Sequence, residues 1–282
     1  MTAMKCETLK LYDRHVYDGC ENVTLDIMIR TRAPEMPIPP RPAMLVFGGG
    51  GYAYVSARET EPIGTEYLAA GYNVFMLNYT CGEKAAVAHP LLDAALAVAT
   101  IRKNAELWDI DPDKIAVCGF SAGGHLAASI ATLWDSPEVL EPLGLEAGQA
   151  RPNAAVLGYP VISGIVKPNV LSFDNFLGKD AGTEQRRKYS CENNVKSTTC
   201  PCFIFHTAND TCVPVENSIV FAAALAEHGV PFELHILPDG LHGISRANFE
   251  TSRTCPDAGN SPYVARWSHW AVLWLNRLFE NE

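Results

Sequence analysis

The stretch Lys114-Ile-Ala-Val-Cys-Gly-Phe-Ser-Ala-Gly-Gly-His-Leu126 reads as a short strand, a tight turn and the start of a helix. Ile115, Ala116, Val117 and Cys118 form a continuous apolar run, the pattern of a strand covered on both faces. Gly119-Phe120-Ser121-Ala122-Gly123 matches G-x-S-x-G, and Leu126, Ala127, Ala128, Ile130, Ala131 and Leu133 continue as an apolar helix. That context separates a nucleophile elbow from a glycine-rich turn holding an incidental serine. Gly119 and Gly123 leave room for a sharp turn and a close strand–helix approach. Ser121 is expected at the tip with its hydroxyl exposed.

Working outward, strands and helices alternate. Strands are expected at 43–47, 73–79, 154–159, 203–207 and 232–237, and helices at 60–70, 90–108, 216–228 and 263–279. Such alternation predicts an α/β fold: a mostly parallel central sheet flanked by helices on both faces. Residues 7–13 and 23–31 alternate apolar and polar and predict an antiparallel N-terminal edge, turning at Asp18-Gly19. Pro34 to Pro42 is a stiff connection. Trp267, Trp270, Trp274 and Leu278 recur at helical spacing and predict a packing face. The pattern breaks at 161–199 and 245–261, expected as irregular insertions near the active site of a single domain, 1–282.

A serine hydroxyl needs a base to take its proton and an acid group to hold that base. When the nucleophile sits on an elbow, acid and base follow it in chain order at later strand ends. Asp210 lies just past the strand at 203–207, and Asn209 beside it can fill the local turn role. His242 lies in a glycine-flanked loop after the strand at 232–237. Asp174 and Asp180 come too early in the chain, and Asp239 is too close to His242. His206 reads as a core or support residue, His235 as a strand-face residue, and His125 as facing core or site rim. The tetrahedral intermediate of acyl transfer needs fixed N–H donors. Ala122, at the N-terminus of the elbow helix, is one candidate. The others lie in Gly48-Gly-Gly-Gly51, a run whose entropic cost backbone pressed against a reacting carbonyl would explain.

Length and composition narrow the partners. The chain has 282 residues, 48% hydrophobic, with a formal charge of −10. The acidic balance argues against nucleic acid or an anionic membrane. No apolar run is expected to span a bilayer, and the N-terminus lacks the features of a secretory signal. Nine cysteines, an odd number, fit reduced thiols in a cytoplasmic protein. Cys200-Pro-Cys202 is too closely spaced for a zinc or redox motif. No metal-ligand spacing or nucleotide-binding glycine motif is present, so neither metal nor cofactor is expected.

Phe47-Gly-Gly-Gly-Gly-Tyr52, Gly119-Phe-Ser-Ala-Gly-Gly124, His206-Thr-Ala-Asn-Asp-Thr-Cys-Val-Pro-Val-Glu-Asn-Ser218 and Leu237-Pro-Asp-Gly-Leu-His-Gly243 together resemble the α/β-hydrolase superfamily. More narrowly, the chain resembles small bacterial esterases of the acetyl xylan and feruloyl esterase type, near the hormone-sensitive-lipase-like group. The resemblance implies a serine esterase with Ser121 as nucleophile, His242 as base and then acid, and Asp210 as its orienting partner. It implies an oxyanion hole of Gly50, Gly51 and Ala122, with Gly49 if the register shifts by one. Many relatives carry His-Gly-Gly-Gly-Trp, where this chain has Gly48 and Tyr52. The implied substrate is a small-molecule or oligosaccharide ester, foremost an acetylated carbohydrate such as a xylo-oligosaccharide. A broad carboxylesterase, a feruloyl esterase, a peptidase or a non-catalytic binding protein are the alternatives. Tyr52, with Tyr54, Tyr79, Phe173 and Phe176, is a candidate for stacking on substrate.

Overall fold

The computed structural model describes residues 4–32, 35, 38–252 and 261–280. Parts of the proline-rich connection and of the second irregular stretch (253–260) lie outside the described residues. Eight strands form one sheet: β1 (Lys5–Lys10), β2 (Thr24–Ile29), β3 (Arg41–Phe47), β4 (Asn73–Asn78), β5 (Ile110–Phe120), β6 (Ala154–Gly158), β7 (Cys202–Thr207) and β8 (Phe232–Leu237). Their order is β1-β2-β4-β3-β5-β6-β7-β8. β2 runs antiparallel to both β1 and β4, and the other neighbours are parallel.

Burial explains the composition. β3, β4, β6 and β7 are near-continuous apolar runs and almost wholly buried, as strands covered on both faces must be. β2 alternates between buried and half-buried, and β1 is exposed along its whole length. Lysines at both ends of β1 suit a free sheet edge, where charge discourages pairing with another chain.

The helices are α1 (Glu61–Ala69), α2 (His89–Lys103), α3 (Ala122–Leu133), α4 (Pro137–Leu143), α5 (Val170–Leu177), α6 (Thr183–Lys188), α7 (Glu216–Glu227), α8 (Phe249–Ser252) and α9 (Arg266–Glu280). One core layer packs α2, α3, α4, α5 and α7 against the sheet. The opposite layer is closed by α1 and α9. On α9 the buried line is Trp267, Ala271, Leu275 and Phe279, while Trp270, Trp274 and Leu278 sit at its margin. The packing face expected from the tryptophans is therefore rotated toward the i, i+4 line through Trp267, which stacks on Phe205 at 4.2 Å between centroids.

Other departures have local causes. α2 stops at Lys103 instead of 108, and the chain turns so that Trp108 packs against Phe75, 5.1 Å between centroids. Residues 82–103 are, by length and composition, apolar enough to cross a bilayer, contrary to the sequence expectation. Nine residues of α2 are buried, so that apolarity serves the core. Residues 161–199 are more regular than expected, because they contain α5, α6 and a 3-10 turn at Cys191–Asn194. The helices are too short to show a period in sequence. α5 carries a legible cap, the Asn169 side-chain oxygen accepting from the Ser172 N–H at 3.0 Å.

Candidate active site

The site lies where the loops after β3, β5, β7 and β8 meet, outside the carboxyl ends of the parallel strands. Ser121 joins β5 to α3 with φ 54° and ψ −120°, a conformation costing on the order of 1–3 kcal/mol for a residue with a Cβ. Hydrogen bonds hold it there. Its N–H donates to Gly158 O, and its carbonyl accepts from the His125 and Val161 N–H groups, each at 3.0 Å. The flanking glycines are sterically required. A Cβ at Gly119 would stand 2.0 Å from Gly123 O, and one at Gly123 would stand 2.2 Å from Phe47 O.

Three side chains converge in sequence order. His242 Nε2 lies 2.7 Å from Ser121 Oγ, and His242 Nδ1 lies 2.7 Å from Asp210 Oδ2. A carboxylate only accepts, so Nδ1 carries the proton and Nε2 is left as the acceptor for the serine hydroxyl. The second oxygen, Asp210 Oδ1, accepts from the Cys212 and Val213 N–H groups, both at 2.9 Å. Asp210 thus does both jobs considered for it, one with each oxygen. Asn209 is engaged elsewhere: its side-chain oxygen accepts from Gly240 N–H at 3.0 Å and ties the β7 loop to the His242 loop.

Burial by itself would raise the Asp210 pKa. Hydrogen bonds from His206 and His242, attraction to the His242 ring once it is protonated, and the Val213 N–H outweigh it and hold the carboxyl well below the usual carboxylate range. His206 is buried, with Nε2 2.9 Å from Val213 O and 3.4 Å from Asp210 Oδ2, and Nδ1 2.7 Å from Ser218 Oγ. It supports the carboxylate from behind, in keeping with its reading as a core residue.

The glycine loop after β3 is pinned on several sides. Gly48 O accepts from the Tyr79 hydroxyl at 2.6 Å, Gly49 N–H donates to Glu59 at 2.8 Å, and Gly51 O accepts from the Asn175 side-chain amide at 2.7 Å. Gly50 and Gly51 have φ values of 116° and 62°, open to glycine and strained for other residues. Among the described residues, none accepts from the N–H of Gly50, Gly51 or Ala122. Gly49, the alternative donor from the shifted register, is already occupied by Glu59.

A cavity of about 320 Å³ opens onto these groups. It is lined by Gly50, Gly51, Ser121 and His242, together with Tyr54, Arg58, Glu59, Asn169, Leu171, Ser172 and Cys212. Tyr54 is the one of the five expected aromatics on this lining. Tyr52 does not fit its expected role in substrate contact: it is fully buried, and its hydroxyl donates to His125 Nδ1 at 2.7 Å. It replaces a rim function with an internal one, clamping the glycine loop to the elbow helix. Tyr79, Phe173 and Phe176 are likewise core residues. Sequence reasoning missed Glu59, Tyr159 and Asn175. Glu59 and Asn175 sit in polar stretches that read as surface. Tyr159, directly after buried β6 and before Pro160, was legible as lying at the carboxyl end of a strand.

His125 also donates from Nε2 to Tyr189 O at 2.9 Å, tying α3 to the 161–199 segment. Burial depresses its pKa to about 4, against a smaller opposing effect of the Tyr189 carbonyl. Between pH 6.5 and 4 the unfolded chain then binds the proton that the folded protein refuses. Stability is expected to fall across that window as pH drops, by roughly 3 kcal/mol from this group. Thermal midpoints measured from pH 6.5 to 4 check this. His125→Gln should flatten the dependence, and an unchanged slope would assign it to other groups.

Among the described residues one group with metal-ligand proximity occurs, His15, Cys20 and Glu21. It lies in the β1–β2 connection, and Glu21 already accepts from Gly19 N–H.

This sheet, with its elbow serine after β5, its acid after β7 and its histidine after β8, defines an α/β hydrolase. The BD-FAE family model matches residues 25–225, and the chain belongs to the BD-FAE family. It is 39% identical over 218 residues to endo-1,4-beta-xylanase B of Butyrivibrio fibrisolvens, covering 74% of this chain and 33% of that protein. It is 33% identical over 203 residues to an acetylxylan esterase of Xylanibacter ruminicola, covering 69% and 39%. The chain therefore spans between a third and two fifths of the length of these curated relatives. Among solved structures it resembles the acetyl ester-xyloside bifunctional hydrolase of Caldicellulosiruptor lactoaceticus, with 35% identity, 96% of both chains covered and a TM-score of 0.83. The carboxylesterase Cest-2923 of Lactobacillus plantarum is 26% identical, covering 98% of both chains, with a TM-score of 0.82.

Proposed function

We propose that this chain is a serine-dependent carboxylic ester hydrolase that removes acetyl groups from carbohydrates such as xylo-oligosaccharides. The observation that carries the reading is the hydrogen-bonded relay from Asp210 through His242 to Ser121, opening onto a cavity beside unoccupied backbone donors. In the proposed reaction, Ser121 Oγ attacks the ester carbonyl carbon while its proton passes to His242 Nε2. The N–H groups of Ala122, Gly50 and Gly51 hold the resulting oxyanion. Collapse breaks the bond to the alcohol oxygen, which takes the proton from His242 and leaves acyl-Ser121. Water then attacks with His242 as base, the tetrahedral species collapses, and the free acid departs from a regenerated serine. Asp210 stays ionised throughout and stabilises the imidazolium.

The carbohydrate portion is supported by the names of the relatives, an acetylxylan esterase and an acetyl ester-xyloside hydrolase among them. On a lining that also carries Leu171 and Tyr54, Asn169, Ser172 and Arg58 supply polar groups that could meet hydroxyls of the alcohol portion. A broad short-chain carboxylesterase is the second reading, favoured by the Lactobacillus plantarum neighbour. A time course on acetylated xylo-oligosaccharides, feruloylated ones and simple aryl acetates separates the readings. Acetate release from the sugars is expected to exceed the other two rates. Equal or faster turnover of aryl esters would favour the second reading, and ferulate release would redirect the assignment.

A further inference from the structure

The reaction as proposed uses the glycine loop and the His242 loop, but not the groups that tie them together. Glu59 is 2% exposed. Its Oε2 accepts from Gly49 N–H at 2.8 Å and its Oε1 from the Tyr159 hydroxyl at 2.6 Å. The Tyr159 oxygen in turn accepts from Ser245 N–H at 2.9 Å, three residues beyond His242. Resting on the esterase reading, we infer that Glu59 and Tyr159 are positioning residues for ester hydrolysis: their hydrogen-bonded chain from Gly49 to Ser245 aligns the free donors of the glycine loop with the His242 loop around Ser121.

The chain of contacts is direct. Glu59, Gly49 and Ser121 are layered so closely that a Cβ at Gly49 would stand 2.7 Å from Glu59 Oε2 and 2.9 Å from Ser121 Cβ. By taking the Gly49 N–H, Glu59 fixes that peptide plane, and the next two N–H groups are the ones left without a protein acceptor. Tyr159 is equally constrained. It holds φ 35°, and its N–H donates to Phe205 O at 2.7 Å. The preceding residue, Gly158, accepts from the N–H of the nucleophile itself. The Tyr159 ring meets the His242 imidazole edge to face, centroids 5.1 Å apart at 74°. Burial and the neighbouring Glu59 charge raise the Tyr159 pKa well above that of an ordinary phenol, so it remains a donor at working pH.

A carboxylate fits this place for a chemical reason. It accepts from both neutral donors at once, and those two hydrogen bonds offset part of the cost of burying it. An apolar filler would close the space but leave the Gly49 N–H free to compete with its neighbours. An amide matches only one of the two donors. In Glu59→Gln, if the carbonyl oxygen keeps Gly49 N–H, the NH2 faces the tyrosine oxygen, and the hydroxyl proton loses its acceptor. Tyr159→Phe leaves Glu59 with one donor and Ser245 N–H without an acceptor.

The test is steady-state kinetics on an acetyl ester, together with the affinity of a trifluoromethyl ketone, which forms a tetrahedral oxyanion adduct on a serine. For Glu59→Gln and Tyr159→Phe, kcat is expected to fall roughly 10- to 100-fold while KM stays within about twofold. Ketone affinity should fall by the same factor as kcat/KM. Wild-type kcat in either folded variant, or lost kcat with unchanged ketone affinity, would overturn the inference. If Glu59→Gln does not fold, Tyr159→Phe, which removes a single oxygen, decides alone. Ser121→Ala in the same assay keeps the two claims apart. An active Ser121→Ala counts against the esterase mechanism, whereas an inactive one beside a fully active Glu59→Gln counts against the positioning role alone.

Discussion

Ser121→Ala is expected to lower ester hydrolysis by roughly 10⁴-fold or more while leaving the fold intact. The substitution removes one oxygen from a residue that is 8% exposed and keeps the Cβ that the elbow already accommodates. The backbone bonds to Gly158, His125 and Val161 do not involve the side chain and should persist. His242 Nε2 loses its partner, but the imidazole is partly exposed and water can replace the hydroxyl. Melting temperature and near-ultraviolet circular dichroism should therefore match the parent. Any residual rate would come from binding and from the donors at Gly50, Gly51 and Ala122. Activity within tenfold of the parent would remove Ser121 from the mechanism.

Asp210→Asn is expected to cost about 10⁴-fold in kcat with little change in KM. The cause is a forced tautomer. The Cys212 and Val213 N–H groups both donate to Oδ1, so an amide at this position must keep its oxygen there. Its NH2 then faces His242 Nδ1 and donates to it. The imidazole proton moves to Nε2, where it points at Ser121 Oγ and blocks proton acceptance. Rates measured from pH 6 to 9 check this. The loss should persist across the range, because a change of pH does not turn the amide into an acceptor for an Nδ1 proton. Recovery of most activity at high pH would mean that Asp210 acts only through its charge.

The elbow, the parallel sheet and the order Ser121, Asp210, His242 were legible in sequence because each rests on a local pattern. An apolar run, a glycine pair and a loop residue at a strand end need no knowledge of distant contacts. The wall of the site was not legible for the opposite reason. Tyr52 looks like a rim aromatic until α3 and α5 close over it, and its hydroxyl finds His125, a partner 73 positions away. Glu59 looks like a surface acid until Tyr159 arrives from 100 positions down the chain. Asn209 and Asp210 are neighbours with similar turn chemistry, and only their partners distinguish them. The helices within 161–199 are too short for periodicity to outweigh their polar composition. What remained hidden was the set of long-range polar pairings that fix the loops around a legible core.

Acyl transfer through Ser121 leaves a covalent intermediate that can be trapped. Wild type and Ser121→Ala can each be mixed with an acetyl ester, quenched in acid within the first turnover and mapped by peptide mass spectrometry. An acetyl group is expected on the wild-type peptide containing Ser121 and none on the corresponding variant peptide. A wild-type Ser121 that stays unmodified while acetate is released, or an acetyl group carried at another residue, would contradict acyl transfer through Ser121.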